Sequence, residues 1–437
     1  MLAPRAGECQ YSDQTMSTTA IRDHAVDVPR LVVRTVAIDD PGDLLRLLPP
    51  DALLSWVRRA EGLVGWGTAA QVDVVGPDQV HAAQDAWADL VSHAVVRDEV
   101  GLPGTGPVAF GSFAFDPTMG AGVLVVPSVL VGRRGGQAWL TTIGATATRR
   151  TTVSVASPVR APGPVTYRCG ALGPDAWAAK VGEAVAAIRA GRADKVVLAR
   201  DVVARTTEPL DVRWALDRLA RRYDSCWTFA VADLVGATPE LLVRAERGLV
   251  TSRVLAGTIQ RTGHDEADLA RAGVLAHSSK DLEEHEYAVQ SVADALAPYC
   301  TSTNVPDVPF VLPLPNVLHL ASDITGVLAD HVGSLGLVAA LHPSAAVCGT
   351  PSTAAADLIS ELEHMDRGRY AGPVGWTGAD GDGEWGIALR CAQVDPDDRH
   401  TVRLFAGCGV VAASDPAAEV AESNAKLEPM KYALGSD

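Results

Sequence analysis

The sequence has little of what marks a secreted or membrane chain. Its seven cysteines, at positions 9, 169, 226, 300, 348, 391 and 408, are odd in number, widely spread and free of CxxC spacing. That fits reduced, packing thiols better than a disulfide framework. Residues 1–30 lack an apolar h-region, so no signal peptide is expected, only a disordered or loosely attached tail. No apolar run reaches the roughly 18 to 20 residues a spanning helix needs. A cytoplasmic protein without a membrane partner is therefore expected. Positive charge is also scarce: 37 Lys and Arg stand against 53 Asp and Glu, for a formal charge of -16. A field of that sign repels phosphate and argues against a nucleic-acid partner. An anionic small substrate then needs local cations or a metal. The absence of a GxSxG elbow and of a P-loop removes two common hydrolase and NTPase readings.

What is present is enough for a large buried core, with 47% hydrophobic residues in 437. Residues 31–165 alternate short β-branched runs with Gly- and Pro-rich turns and hold few reactive side chains. A Pro/Gly-rich passage from Ala156 to Pro174 reads as a surface crossover and as the best internal boundary. In residues 175–437 the character changes. Asp175 to Ala190 forms an amphipathic helix leading into the strand Lys195 to Val203. Glu240–Glu246 and Leu249–Ala256 flank Arg247-Gly248 as a hairpin. A second hairpin joins Trp385–Ala392 to Val402–Val410. Hairpins interleaved with long helices indicate an α+β fold, antiparallel sheets covered by helices.

Two helical segments concentrate acid. In Ser414-Asp-Pro-Ala-Ala-Glu-Val-Ala-Glu-Ser-Asn-Ala-Lys426 a cap and Pro416 open a helix on which Glu419, Glu422 and Lys426 share one face. That face is too acidic to be core. In Lys280-Asp-Leu-Glu-Glu-His-Glu286, Asp281 and Glu284 repeat the spacing. Each pair alone is an ordinary solvated face. Two such helices facing each other hold four carboxylates that repel unless a hard divalent cation sits among them, and oxygen ligands without a Cys/His cluster favour magnesium over zinc.

Other candidates stand on strands. Lys195 enters an apolar strand, either as an edge lysine reaching water or as a general base whose pKa burial or nearby cations lower. Glu240, after Ala237-Thr-Pro239, is either a strand-capping acid or, if buried, a proton donor. Arg390 amid apolar neighbours is either a structural ion pair or a bidentate carboxylate clamp. Phe405-Ala-Gly-Cys-Gly409 offers a tight turn or backbone N–H groups for an anion. His319 is a candidate for hydrogen-bonding a substrate, and His342 in Leu341-His-Pro343 for a structural role. The residues alone support a magnesium-dependent enzyme acting on a carboxylated small molecule.

Taken in order, Lys195-Val-Val-Leu-Ala-Arg200, Thr238-Pro-Glu-Leu-Leu242, Leu255-Ala-Gly-Thr258, Ser279-Lys-Asp-Leu-Glu-Glu-His285, His319-Leu320, Leu341-His-Pro343, Asp366-Arg-Gly-Arg-Tyr-Ala-Gly372, Gly383-Glu-Trp385, Phe405-Ala-Gly-Cys-Gly-Val410 and Glu419-Val-Ala-Glu-Ser-Asn-Ala-Lys426 resemble the chorismate-utilising enzymes. The resemblance implies one domain over residues 31–437, two stacked antiparallel sheets surrounded by helices, with Mg²⁺ holding the ring carboxylate of chorismate. It implies Glu284 and Glu422 as direct ligands and Asp281 and Glu419 as ligands through water. Arg390, Lys426 and the backbone around Gly407 and Gly409 would hold the other anionic groups, and Gly257, Thr258, His319, Ala346 and Tyr370 would complete the substrate pocket. Members that use ammonia carry glutamine where Lys195 stands, and aminodeoxychorismate synthases carry a lysine where Ala256 stands. Water is thus the expected nucleophile, with no glutaminase partner and a monomer. Lys195 would deprotonate that water for attack at C2 while Glu240 protonates the departing C4 hydroxyl. The product would be isochorismate, as in isochorismate synthases, where Ala346 takes a pocket position that pyruvate-releasing salicylate synthases tend to fill with threonine; a salicylate synthase, or a catalytically silent anion-binding homologue, is the alternative.

Overall fold

A computed structural model describes residues 30–146, 157–329 and 332–435. Most of the proposed N-terminal tail lies outside them. Two sheets make the frame, one of 13 strands and one of 10. Among the described residues all pairings are antiparallel except Val32–Ile38 with Val95–Asp98. The α+β reading with two antiparallel sheets and covering helices is what the chain adopts.

The strands that carry chemistry form one long ladder in each sheet. In the wider sheet Lys195–Thr206 pairs with Thr401–Val410, in register from Val196 opposite Val410 to Arg205 opposite Thr401. In the narrower sheet Leu249–Gln260 pairs with Val317–Leu328. The Leu241–Glu246 and Leu249–Gln260 hairpin turns at Arg247-Gly248, both at positive φ (49° and 80°), the backbone that matches strand twist in a two-residue loop. Two helices back these ladders. Ser279–Leu296, capped by the Ser278 side chain, packs on Leu249–Gln260; Pro416–Leu434, capped by Asp415, packs on Thr401–Val410.

The sheets share a core in which Trp56, Trp139, Trp177, Trp227 and Trp385 are fully buried. Polar bonds also cross it: Glu384 of the narrower sheet accepts from the indoles of Trp56 (3.0 Å) and Trp227 (2.8 Å) of the wider one.

Two expectations change. The passage Ala156 to Pro174 is no boundary, because Val165–Cys169 within it pairs with residues 202–206 as a strand of the wider sheet. Both sheets draw strands from both halves of the chain. The expected strand Trp385–Ala392 is two strands in different sheets: Gly383–Ile387 belongs to the narrower and Cys391–Val394 to the wider. Between them Arg390 takes φ 49°, a left-handed kink that an alternating pattern does not announce.

Candidate active site

The chain crosses between the sheets at two neighbouring places, and each crossing carries a candidate residue. Leu234–Thr238 ends in the wider sheet and Leu241–Glu246 begins in the narrower, with Pro239 and Glu240 between them. Arg390 stands at the other crossing. The two crossings touch, since the amide of Ile387 donates to the Glu240 carbonyl at 3.3 Å. A cavity opens there, walled by Glu240, Gly257, Thr258, Glu284, His319, Ala346, Tyr370, Arg390, Gly407, Gly409, Glu422 and Lys426. These residues span nearly two hundred positions of sequence and were expected in one place. Lys195, Asp281 and Glu419 do not line it, though each neighbours a residue that does: Lys195 beside Glu284, Asp281 beside Gly257 and Glu419 beside Glu422.

Lys195 is fully buried, with its ammonium 3.1 Å from Glu284 Oε1, in ion-pair range but outside hydrogen-bond alignment. Of the two surroundings expected for a base, burial or nearby cations, burial is the one present, and its close neighbour is a carboxylate. Gly409 makes the space: a Cβ there would come within 2.2 Å of Glu284 Oε1 and 3.1 Å of Lys195 Cε.

Glu240 is 5% exposed, and burial pushes its carboxyl up to about 8 despite the opposing pull of Lys195, Lys426 and Arg390. It is therefore a protonated acid at neutral pH, which favours the proton-donor alternative over the strand cap.

The cations face it. Arg390 donates from Nη2 to His319 Nε2 at 3.1 Å, and His319 Nδ1 lies 3.0 Å from Thr258 Oγ1. No carboxylate pairs with Arg390 among the described residues, so the structural ion pair is not what holds it. Lys426 donates to the Gly407 carbonyl at 2.9 Å and pairs with Glu422 at 2.6 Å. Burial alone would lower the Lys426 pKa, but the Glu422 carboxylate beside it outweighs that and holds the ammonium charged. Tyr370 stacks on Phe405, with ring centroids 5.0 Å apart and planes 8° from parallel, and burial raises its phenol so that it keeps its proton.

Gly407 and Gly409 sit inside a strand and not in a turn. Opposite them, Ala199 and Val197 send their amides outward, to Glu363 Oε1 and the Cys348 carbonyl. In an antiparallel ladder the facing residues then also turn their polar groups away from the pair, here toward the cavity edge that Cys391–Val394 vacates by pairing only with residues 402–404.

The acids fall into two sets. Glu284 walls the cavity from one helix, with Asp281 behind it against the bulge at Gly257, where a Cβ would lie 3.0 Å from Asp281 Cβ. Glu422 walls it from the other helix. One ligand atom each from Glu422, Glu419 and Cys408 lies within 4.8 Å of the others. The helix face expected to be too acidic for core is partly core, since Glu419 is 2% exposed. Oxygen donors dominate both sets, which is the donor chemistry of a hard cation, and here the two inward carboxylates are balanced by the ammonium groups of Lys195 and Lys426.

Sequence reasoning passed over Arg367 and Phe405 on the cavity wall. Arg367 had a signal in the motif Asp366-Arg-Gly-Arg-Tyr370; Phe405 had only its place before Gly407.

A buried acid, the cations Arg390 and Lys426 and two inward carboxylates around one cavity are the groups an enzyme acting on a small anion would use. The chain belongs to the chorismate binding enzyme family, whose signature matches residues 51–435. It is 33% identical to the salicylate biosynthesis isochorismate synthase of Pseudomonas aeruginosa, over 94% of this chain and 92% of that one. It is 39% identical to isochorismate synthase DhbC of Bacillus subtilis, over 60% of this chain and 69% of that one. Its fold matches that of MenF, the menaquinone-specific isochorismate synthase of Escherichia coli, with a TM-score of 0.76 at 23% identity, covering 93% and 95% of the two chains. No helix among the described residues is long and apolar enough to cross a membrane.

Proposed function

We propose that this chain is an isochorismate synthase that converts chorismate to isochorismate in the cytoplasm, with magnesium as cofactor and water as nucleophile. The observation that carries the reading is Glu240, a buried acid raised to about 8 on the wall of a cavity lined by Arg390 and Lys426. A site for displacing a hydroxyl needs a proton donor beside anion-binding groups, and an anion-binding module has no use for one.

Glu284 and Glu422 would hold the ion, with Asp281 and Glu419 behind them, and the ion would supply the positive charge that balances the ring carboxylate. Arg390 and Lys426, with the backbone at Gly407 and Gly409, bind the remaining anionic groups. Lys195, as the neutral amine, takes a proton from water as the water oxygen bonds to C2. The ring double bonds shift, the C4–O bond breaks, and Glu240 gives its proton to the leaving oxygen, which departs as water. Ala346 keeps the wall beside the substrate small. Since Lys195 stands where ammonia users carry glutamine, no glutaminase is called for.

Incubation with chorismate and magnesium, followed by chromatographic resolution of the products, tests this. Isochorismate without matching pyruvate is expected. Pyruvate released as fast as chorismate disappears would instead make the chain a salicylate synthase, and anthranilate from ammonium would overturn the choice of nucleophile.

A further inference from the structure

Arg367 walls the cavity, yet its hydrogen bonds point elsewhere. Nε donates to Glu363 Oε2 at 2.9 Å, Nη1 to the Val347 carbonyl at 3.0 Å, and Nη2 both to the Val197 carbonyl at 2.7 Å and to Glu363 Oε1 at 2.5 Å. Four of the five guanidinium N–H groups are thereby engaged, leaving little for a substrate anion. Its face covers the Phe115 ring at 4.0 Å. Arg367 and Glu363 are 4% and 2% exposed, so neither belongs to a solvated surface.

What they complete is a gap in the wider sheet. On its outer edge, Lys195–Thr206 pairs with Gly349–Thr350 only at Lys195 and Val196, and with Val165–Cys169 only from residue 202 onward. Between these, the backbone of Val197 and Ala199 faces outward without a neighbouring strand. An unpaired strand edge buried in a core is costly. Here each group finds a substitute: the Val197 amide donates to the Cys348 carbonyl at 2.8 Å and the Val197 carbonyl accepts from Arg367. The Ala199 amide donates to Glu363 Oε1 at 2.7 Å, and the Ala199 carbonyl accepts from the Trp177 indole at 3.0 Å.

We infer that the Arg367–Glu363 pair stands in for a missing strand and is a positioning device for the reaction, fixing Lys195, two residues before Val197, relative to the Ala346–Val347 wall. The inference rests on the functional reading above for its catalytic half. Arg367 also holds Val347 through the same guanidinium, so one ion pair sets the distance between the strand that carries the base and the loop that bounds the substrate. The substrate anchors Arg390 and Lys426 belong to other segments and bond to neither residue.

The test uses Arg367→Lys, which keeps the charge but loses the planar fork, and the double variant Glu363→Met with Arg367→Met. The double change removes both buried charges together and avoids stranding one of them. Amide hydrogen exchange over residues 196–201 should rise in both variants. Turnover of chorismate should fall by about 10- to 100-fold, the scale of a misplacement near an ångström, while chorismate affinity stays within about twofold because the anchors are untouched. The lysine variant should lose less than the double variant. Should the double variant not fold, Arg367→Lys alone decides. Unchanged exchange overturns the strand substitution. Faster exchange with wild-type turnover, or loss of affinity in step with turnover, overturns the positioning role. Failure of the wild-type protein to consume chorismate would count against the functional reading, and the exchange result would still decide the structural half.

Discussion

Arg390 Nη2 lies 3.1 Å from His319 Nε2, and because a guanidinium can only donate, that one contact assigns the imidazole. Nε2 must accept, so the proton sits on Nδ1 and the ring is neutral. Burial first, then Arg390 and Lys426, hold its pKa well below the ordinary value. A neutral ring between two cations lets Arg390 keep its charge directed at the cavity. The expected consequence is a nitrogen NMR signal from His319 with a protonated Nδ1 that does not titrate near pH 6.5, the ordinary histidine value. Titration of that signal near 6.5 would remove His319 from its place as a fixed acceptor.

The same physics acts on stability. Burial also depresses His342, to about 4, and its Nε2 bonds to the Phe115 carbonyl at 3.0 Å. The unfolded chain takes up protons on these histidines below about pH 6.5, where the folded chain refuses them, so stability is present above that pH and is lost as pH falls toward 4. Melting temperature should decline over this window, and His342→Gln should flatten part of the decline. A wild-type melting temperature that holds steady from neutral pH to about 5 would contradict it.

Glu240 works in the opposite direction. Its carboxyl is raised to about 8 by burial and acts as a donor only while protonated. Turnover should therefore fall as pH rises through about 8, and the descending limb should disappear in Glu240→Gln, along with about 10²-fold or more of the rate. Chorismate affinity should survive, since the anchors proposed above are Arg390 and Lys426. Rates measured in both directions across pH, with affinity measured separately, check this. A variant with wild-type rates would return Glu240 to the role of a strand cap.

The legibility of this site in the sequence was uneven for identifiable reasons. Helical spacing announced Glu419, Glu422 and Lys426 because a helix repeats locally, and the cap at Asp415 formed where the pattern put it. Lys195 and Glu240 stood out as charges entering apolar strands. The break at Arg390 did not, because φ 49° at a residue with a full side chain is imposed by the crossing between sheets and leaves no mark in local alternation. The burial of Glu419 was equally hidden: i, i+3 acids look the same whether the face meets water or a second helix and strand. Arg367 and Glu363 were missed because the strand gap they fill exists only once Gly349–Thr350 and Val165–Cys169 are in place.

The carboxylates make a separate prediction about the ion. Glu284→Ala and Glu422→Ala should each weaken magnesium binding, measured by calorimetry on the isolated protein, and each should lose most turnover. Each also frees an ammonium, Lys195 in the first case and Lys426 in the second. Wild-type magnesium affinity in both variants, with full activity in chelator, would remove the metal from the site.

Two glycines of one strand separate catalysis from folding. At Gly409 an added Cβ meets the Glu284 carboxylate at 2.2 Å and Lys195 Cε at 3.1 Å, which are the far ends of flexible side chains and can move. At Gly407 the first obstacle is the Leu198 carbonyl at 2.9 Å, which is backbone of the paired strand and cannot move without the ladder. Neither residue has a positive φ, so a methyl group strains no dihedral at either place. Gly409→Ala should accordingly fold with nearly the wild-type melting temperature while losing about tenfold or more in turnover, because Glu284 and Lys195 are pushed off their positions. Gly407→Ala should lower the melting temperature, since overpacking against backbone typically costs about 1–3 kcal/mol. Denaturation and chorismate turnover measured on the two variants side by side check the pair. If Gly409→Ala kept full activity, the close packing of Glu284 and Lys195 over that glycine would have no part in the reaction.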